Sequence, residues 1–229
     1  MTTTENPVHG KIGQHITPII EDYLKAIYTL EQREGQVRTV ALAEILNVKP
    51  PTVTAMLKTL ANFKFIKYEP YQAVELTEKG RLIALEIVRH HRLIELYLVE
   101  ALGFSWDEVH EEAEVLEHFI SEKLEAKIAE YLGNPTRDPH GDPIPALDGT
   151  LPDHSIISLA ESREKKLHRI TRVATQDSEK LRYLANLGVI PGGRVKILAK
   201  APFDGPITVE IGKQTHALDN RLARIIIVE

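Results

Sequence analysis

The period of the hydrophobic residues changes once along this chain, and that change limits the possible folds more than any single motif. Up to about Leu132 apolar residues recur at helical spacing. From about Lys166 they fall into short β-type runs, "HRITRV", "RVKIL", "ITVEI" and "ARIIIV", parted by "IPGG" and "FDGP" turns. Between them lies "GNPTRDPHGDPIPALDG", too dense in proline and glycine for regular structure. With 229 residues, 43% of them hydrophobic, the chain has material for two or three cores. The pattern predicts an α+β protein: a helical N-terminal part, an ordered loop or linker that "SLAESREKKLHRI" prolongs, and a small C-terminal β-barrel with one short helix near Ser178 to Leu187.

Within the helical part, Thr17-Pro18 opens a first helix carrying Ile20, Leu24, Ile27 and Leu30 at helical spacing until Gly35. Thr39 can cap a short second helix, "VALAEIL". Asn47-Val48-Lys49 then makes a tight turn, and Pro50-Pro51 start a third helix with Val53, Met56, Leu57 and Leu60 inward. Two β-rich runs, Phe65 to Tyr68 and Ala73 to Leu76, flank a Pro-Tyr-Gln turn and form a hairpin. Helix, turn, helix and hairpin in that order make a winged helix-turn-helix, although helix-turn-helix geometry also occurs in proteins that never touch DNA. Thr77 caps a long helix to about Leu102, ended by Gly103. The capping box Ser105-Trp-Asp-Glu108 opens a further helix that is expected to stop at Gly133. The domain boundaries predicted are 1–76, 77–149, a linker at 150–165, and 166–229.

The last of those helices begins with "HEEAEVLEH", two histidines and four glutamates in nine residues. Such a charge run is most often a solvated helix face. Here, however, His110, Glu114, Glu117 and His118 stand at i, i+4, i+7 and i+8 and share one stripe, beside an apolar stripe of Val109, Ala113, Leu116 and Ile120. Carboxylates at such a half-buried edge cost free energy unless paired, and a divalent cation would offset that cost. The metalloprotease pattern His-Glu-x-x-His is absent, since Glu114 stands four residues after His110. His9, His15 and His90 read as surface or core histidines.

Charge is unevenly placed under a net charge of −5. Residues 36 to 80 hold six Lys/Arg and four Asp/Glu, residues 81 to 132 five and twelve, and residues 163 to 229 thirteen and seven. An acidic, His-bearing middle between mildly basic ends suggests three tasks on one chain. Having no cysteine, the chain lacks thiolate ligands, a thiol nucleophile and disulfides, which fits a cytoplasmic location. The N-terminus does not read as an export signal, and no membrane span is expected.

In their combined order, "EDYLKAIYTL", "LAEILNVKPPTVTAMLKTL", "ELTEKGRLIAL", "HHRLIELYL", "VHEEAEVLEHFIS" and the "PHGDPIP" loop resemble the diphtheria-toxin-repressor family of metal-dependent transcriptional regulators, and among them the manganese-responsive members with a C-terminal Src-homology-3-like domain. The resemblance implies a primary metal site of Asp22, Glu114, Glu117 and His118. Some iron-responsive relatives carry methionine and cysteine at the positions of Asp22 and Glu114, so this harder donor set suits Mn(II), with Fe(II) second. It further implies a second site of His91, Glu95 and His110, to which the proline-rich loop or the barrel would add Asp138, His140 and Asp177. One manganese-sensing branch has an acidic ligand where Lys25 stands, a departure that speaks against its paired-metal arrangement.

Function follows as an expectation: a Mn(II)-activated repressor of metal-uptake genes, acting as a homodimer on a palindromic operator. Lys49, Pro51, Thr52 and Thr54 would face base edges, with Lys58, Lys67 and Tyr71 near phosphates. Metal would join Asp22 to the acidic helix and so fix the spacing of the two recognition helices. Two rivals from other classes are a metallohydrolase, which metal-dependent ester turnover would reveal, and a metal-binding adaptor, for which DNA affinity would not respond to salt.

Overall fold

The computed structural model describes residues 16–70, 72–153 and 157–229. The chain divides into two compact bodies, one running up to His90 and including Leu147–Gly149, the other made of His91–Ala146 and Thr150–Glu229.

The first body is the winged helix-turn-helix. Helix α1 (Pro18–Glu34) starts where the Thr17 hydroxyl accepts the amide of Ile20, and ends at Gly35, whose φ of 71° suits a residue without Cβ. Its buried Ile20, Leu24, Ile27 and Leu30 keep the predicted spacing. Helix α2 (Thr39–Ile45) begins one residue earlier than expected: Thr39 is its first residue and not its cap, and Arg38 precedes it without a side-chain cap. After the turn through Asn47, α3 (Pro50–Asn62) buries Val53, Leu57 and Leu60, while Met56 is half-exposed. The wing pairs β1 (Ile66–Lys67) with β2 (Glu75–Leu76), Ile66 opposite Leu76.

Helix α4 (Glu78–Leu102) starts at Thr77, whose hydroxyl accepts the Gly80 amide at 3.1 Å and donates to the Lys64 carbonyl at 2.8 Å. A Cβ at Gly80 would sit 2.0 Å from the Phe65 carbonyl oxygen, so glycine is what lets α4 approach the wing. The second half of α4 enters the other body, where Leu93 packs with Ile128, Ala129 and Ile144, and Ile94 and Leu98 pack with Val109 and Ala113.

The expected single helix to Gly133 is two helices. α5 (Val109–Leu116) ends one residue before Glu117, and α6 (Glu122–Tyr131) starts afresh at Ser121, whose hydroxyl accepts the Leu124 amide. Leu116, expected inward, is exposed. The proline-rich stretch is ordered: Asp138, His140 and Ile144 are buried, and Arg137 bridges Pro143.

The C-terminal unit is an antiparallel sheet of β3 (Leu167–Val173), β4 (Arg194–Lys200), β5 (Ile207–Ile211), β6 (Gln214–Leu218) and β7 (Ile226–Val228), in the order β6-β5-β4-β3-β7. Helices α7 (Ser178–Asn186) and α8 (Asn220–Ile225) complete it. Three details differ from the sequence reading. "QTHAL" forms a strand that polar residues had concealed, and "ARIIIV" splits into the end of α8 and β7. The linker at 150–165 is too long by its last residues: Leu159 is fully buried in the sheet's core and its amide donates to Ile226. The unit therefore begins near Ile157.

Candidate metal centre

Helical spacing on α4 places His91 and Glu95 one turn apart on the face turned to α5, and His110 and Glu114 are likewise one turn apart on α5. Glu95 is fully buried, and so is Glu117. His91 links them: its Nδ1 lies 2.6 Å from Glu117 Oε2 and its Nε2 3.0 Å from Glu95 Oε1. His110 Nδ1 lies 3.1 Å from His91 Nε2 and 3.3 Å from Glu95 Oε1, with Glu114 Oε1 3.7 Å from its other nitrogen. His118 Nε2 stands 3.5 Å from Glu117 Oε1. Residues assigned by resemblance to two separate sites thus form one connected band, in which His91, His110 and Glu114 bring ligand atoms within 4.8 Å of one another. Asp22 lies in the first body, half-buried on the first turns of α1.

A second cluster meets at the far side of Glu95, where Glu95, Asp138 and His140, all buried, bring ligand atoms within 4.8 Å of one another. His140 Nε2 donates to the Trp106 carbonyl at 2.7 Å, which leaves Nδ1 directed at Glu95 Oε2 from 3.5 Å. Its ring stacks on Trp106 at 5.6 Å. Asp138 Oδ1 accepts the amides of His140 and Asp142, at 2.9 and 2.8 Å. Glu95 Oε2 and His140 Nδ1 face only each other, across 3.5 Å, and Asp138 Oδ2 has no hydrogen-bond partner. Buried polar atoms left in that state are costly, and a cation among them would satisfy all three. The donors, carboxylate oxygens and an imidazole nitrogen, therefore fit a divalent metal by chemistry.

The electrostatics agree. Burial would raise the Glu95 carboxyl, but the charge of His91 and hydrogen bonds from His110, His140 and His91 outweigh it and hold Glu95 well below its usual range, hence ionised. Asp138 is pushed up to about 8, first by burial and then by the charges of Asp142 and Glu95.

Asp177, expected at the second site, is not among the donors of either cluster. It caps α7, accepting the amides of Glu179 and Lys180 at 3.1 Å and pairing with the Lys180 ammonium at 2.6 Å. A carboxylate so engaged serves as a helix cap. Reading the sequence also missed Trp106, whose contribution is a main-chain oxygen and leaves no signal in residue type. It missed Arg92, Arg172 and Asp142 too, although Asp142, four residues after Asp138 in a compact loop, could have been noticed.

At the winged end, Lys49, Pro51, Thr52 and Lys58 are exposed on and before α3. The Thr54 hydroxyl donates to the Pro50 carbonyl at 3.1 Å, and Lys67 faces Glu75 at 3.5 Å on the wing. Tyr71 lies outside the described residues.

A winged helix-turn-helix followed by a helical domain bearing carboxylate and imidazole donors defines a metal-dependent, DNA-binding transcriptional regulator. Comparison with known proteins agrees domain by domain. Residues 15–74 match the model of the iron dependent repressor N-terminal DNA binding domain, 77–146 the iron dependent repressor metal binding and dimerisation domain, and 157–229 the FeoA domain. The iron-dependent repressor IdeR of Mycobacterium tuberculosis (strain CDC 1551 / Oshkosh) is 31% identical over 221 residues, covering 91% of this chain and 96% of that protein. A manganese-dependent transcriptional repressor solved in complex with manganese is 40% identical, with a TM-score of 0.85, over 91% of this chain and 98% of the other. The apo form of the manganese-activated repressor ScaR is 33% identical, with a TM-score of 0.79, over 91% and 99%. The chain belongs to the iron-dependent repressor family, that of the diphtheria toxin repressor, whose members are DNA-binding transcriptional repressors and not enzymes.

Proposed function

We propose that this regulator responds to Mn(II) first and Fe(II) second, binds a palindromic operator as a homodimer in the cytoplasm, and represses genes of metal uptake. The observation that carries the metal preference is the donor set: oxygen and imidazole nitrogen throughout, in a chain without cysteine. Hard oxygen donors favour Mn(II), and no thiolate shifts the balance toward softer ions.

Asp22, Glu114, Glu117 and His118 are the proposed primary ligands, Asp22 on the strength of the family resemblance. Glu95, Asp138 and His140 are the proposed core of the second site, with His91 and His110 alongside. A bound cation supplies positive charge that lets these carboxylates stay close together. Glu117 and Glu95 keep their places through His91, and Trp106 holds His140 in the tautomer that presents Nδ1. On DNA, Lys49, Pro51, Thr52 and Thr54 address base edges from the start of α3, while Lys58, Lys67 and Tyr71 address phosphates. Few of these make bidentate base contacts, so methyl contacts and DNA shape carry much of the readout.

The test begins with chelator-stripped protein given Mn(II), Fe(II), Zn(II) or no metal, followed by sequencing of the genomic fragments each sample retains. A palindromic site retained with Mn(II), or with Mn(II) and Fe(II), supports the proposal. Equal retention without metal refutes it. Asp22→Ala should stay folded and dimeric yet lose metal-dependent retention.

A further inference from the structure

The expected contribution of the C-terminal domain to the second site, a carboxylate at Asp177, is spent on capping α7. The loop that carries Asp138 and His140 nonetheless rests on that domain. Internal bonds shape the loop: Asp138 Oδ1 gathers two loop amides, the Asp138 amide donates to the Asp142 carbonyl at 3.0 Å, and the Arg137 guanidinium donates to the Gly141 carbonyl at 2.9 Å. Shape alone does not fix where the loop stands relative to Glu95.

Three contacts with β3 do. The Val173 amide donates to the His140 carbonyl at 2.9 Å. Gly141, at φ 87°, lies so close to the strand that a Cβ on it would fall 2.0 Å from the Thr171 carbonyl oxygen. Arg172 Nη1 lies 3.3 Å from Asp142 Oδ1. From the opposite side, Arg92 of α4 approaches the same loop, with Nη2 3.6 Å from Asp142 Oδ1 and Nε 3.7 Å from Asp138 Oδ2. The Asp142 carboxylate thus lies between guanidinium groups of the helical and sheet domains, and its two neighbours in the chain direction are the loop's ligand-bearing turn and Pro143.

We propose that β3 sets the position of Asp138 and His140 for metal binding without donating a ligand, with Arg172, acting through Asp142, as the positioning residue. The proposal rests on the reading of Glu95, Asp138 and His140 as a metal site. Removing the Arg172 charge leaves Arg92 to face both loop carboxylates alone. The loop then loses its side-chain tie to the sheet and the donors lose their common focus. Outer partners of metal ligands commonly affect affinity by roughly 10- to 100-fold, the scale expected here.

The experiment is a Mn(II) titration of the full chain, followed by the electron paramagnetic resonance signal of free Mn(II), for the wild type and for Arg172→Gln, Arg172→Lys, Asp142→Asn and His140→Ala. The wild type should bind two classes of ion. Arg172→Gln and Asp142→Asn should each weaken one class by about 10-fold or more. The other class and the circular dichroism spectrum should not change, and Arg172→Lys should recover part of the loss. Two unaltered classes in both Arg172→Gln and Asp142→Asn, or an equal fall in both classes, overturns the positioning role. If His140→Ala binds as the wild type does, the metal-site reading itself fails, and the proposal with it.

Discussion

His140 shows how one side chain joins metal chemistry to proton chemistry. Burial opposes its charge, yet the hydrogen bond and charge of Glu95, the charge of Asp138 and the Trp106 carbonyl raise it to about 9. Asp138 beside it is raised to about 8. Near pH 7 the pair therefore holds one or two protons that a cation must displace, that of His140 from Nδ1, since Nε2 keeps its proton toward Trp106. The sign follows directly: proton release favours binding as pH rises, so second-site affinity for Mn(II) should climb from pH 6.5 to 8 and level off above about 9, with one to two protons released per ion. Calorimetry in buffers of different ionisation enthalpy measures that release, and an affinity independent of pH would refute it. At this scale much was legible. Helical spacing put His110 and Glu114 on one stripe of α5, and the family resemblance added His91 and Glu95, one turn apart on α4. The capping role of Asp177 was not legible, because a carboxylate preceding a helix reads equally well as a cap or a ligand until the direction of the Glu179 and Lys180 amides is known.

Among the elements, the break between α5 and α6 has the largest consequence. No glycine or proline marks it; Ser121 starts a new helix by capping Leu124, and the residues between turn instead of continuing. Val115, Leu116, Phe119, Leu124 and Tyr131 are left exposed, Phe119 at 76%. So many large apolar side chains on one short stretch need cover, and in the proposed homodimer a second copy of the matched dimerisation domain would supply it. Phe119→Glu should therefore shift the protein from dimer to monomer in sedimentation at micromolar concentration and weaken operator binding at least 10-fold, with little change in the monomer's helicity. A dimer as tight as the wild type would place the interface elsewhere. The sequence pattern concealed this face, since an uninterrupted helix would have carried Leu116 and Ile120 inward with Val109 and Ala113. Periodicity reports the face of a helix, but not whether the helix goes on.

For the molecule as a whole, net charge and DNA binding pull in opposite directions. The chain carries −5 overall, and the proposed phosphate and groove contacts include only Lys49, Lys58 and Lys67 as cations. In the proposed dimer the phosphate-facing Lys58 and Lys67 come in two copies, so log K for the operator should fall with log salt at a slope of about −4, from roughly −0.9 per neutralised phosphate. A slope near zero would mean that these lysines do not meet the backbone. What the sequence by itself determined was everything that repeats or that depends on neighbours within a few residues. The α+β division, the winged motif with its Thr17, Thr77 and Gly35 signals, and the stripe of donors that starts on α5 all follow from local spacing, capping and turn chemistry. The family relationship was legible too, in the order of those motifs. Only the tertiary structure decided that Leu159 belongs to the sheet's core, that the Trp106 carbonyl meets His140, and that Arg92 and Arg172 flank Asp142. These depend on which distant segments pack together, and burial assigns a carboxylate its partners only after packing has removed the water that would otherwise have served.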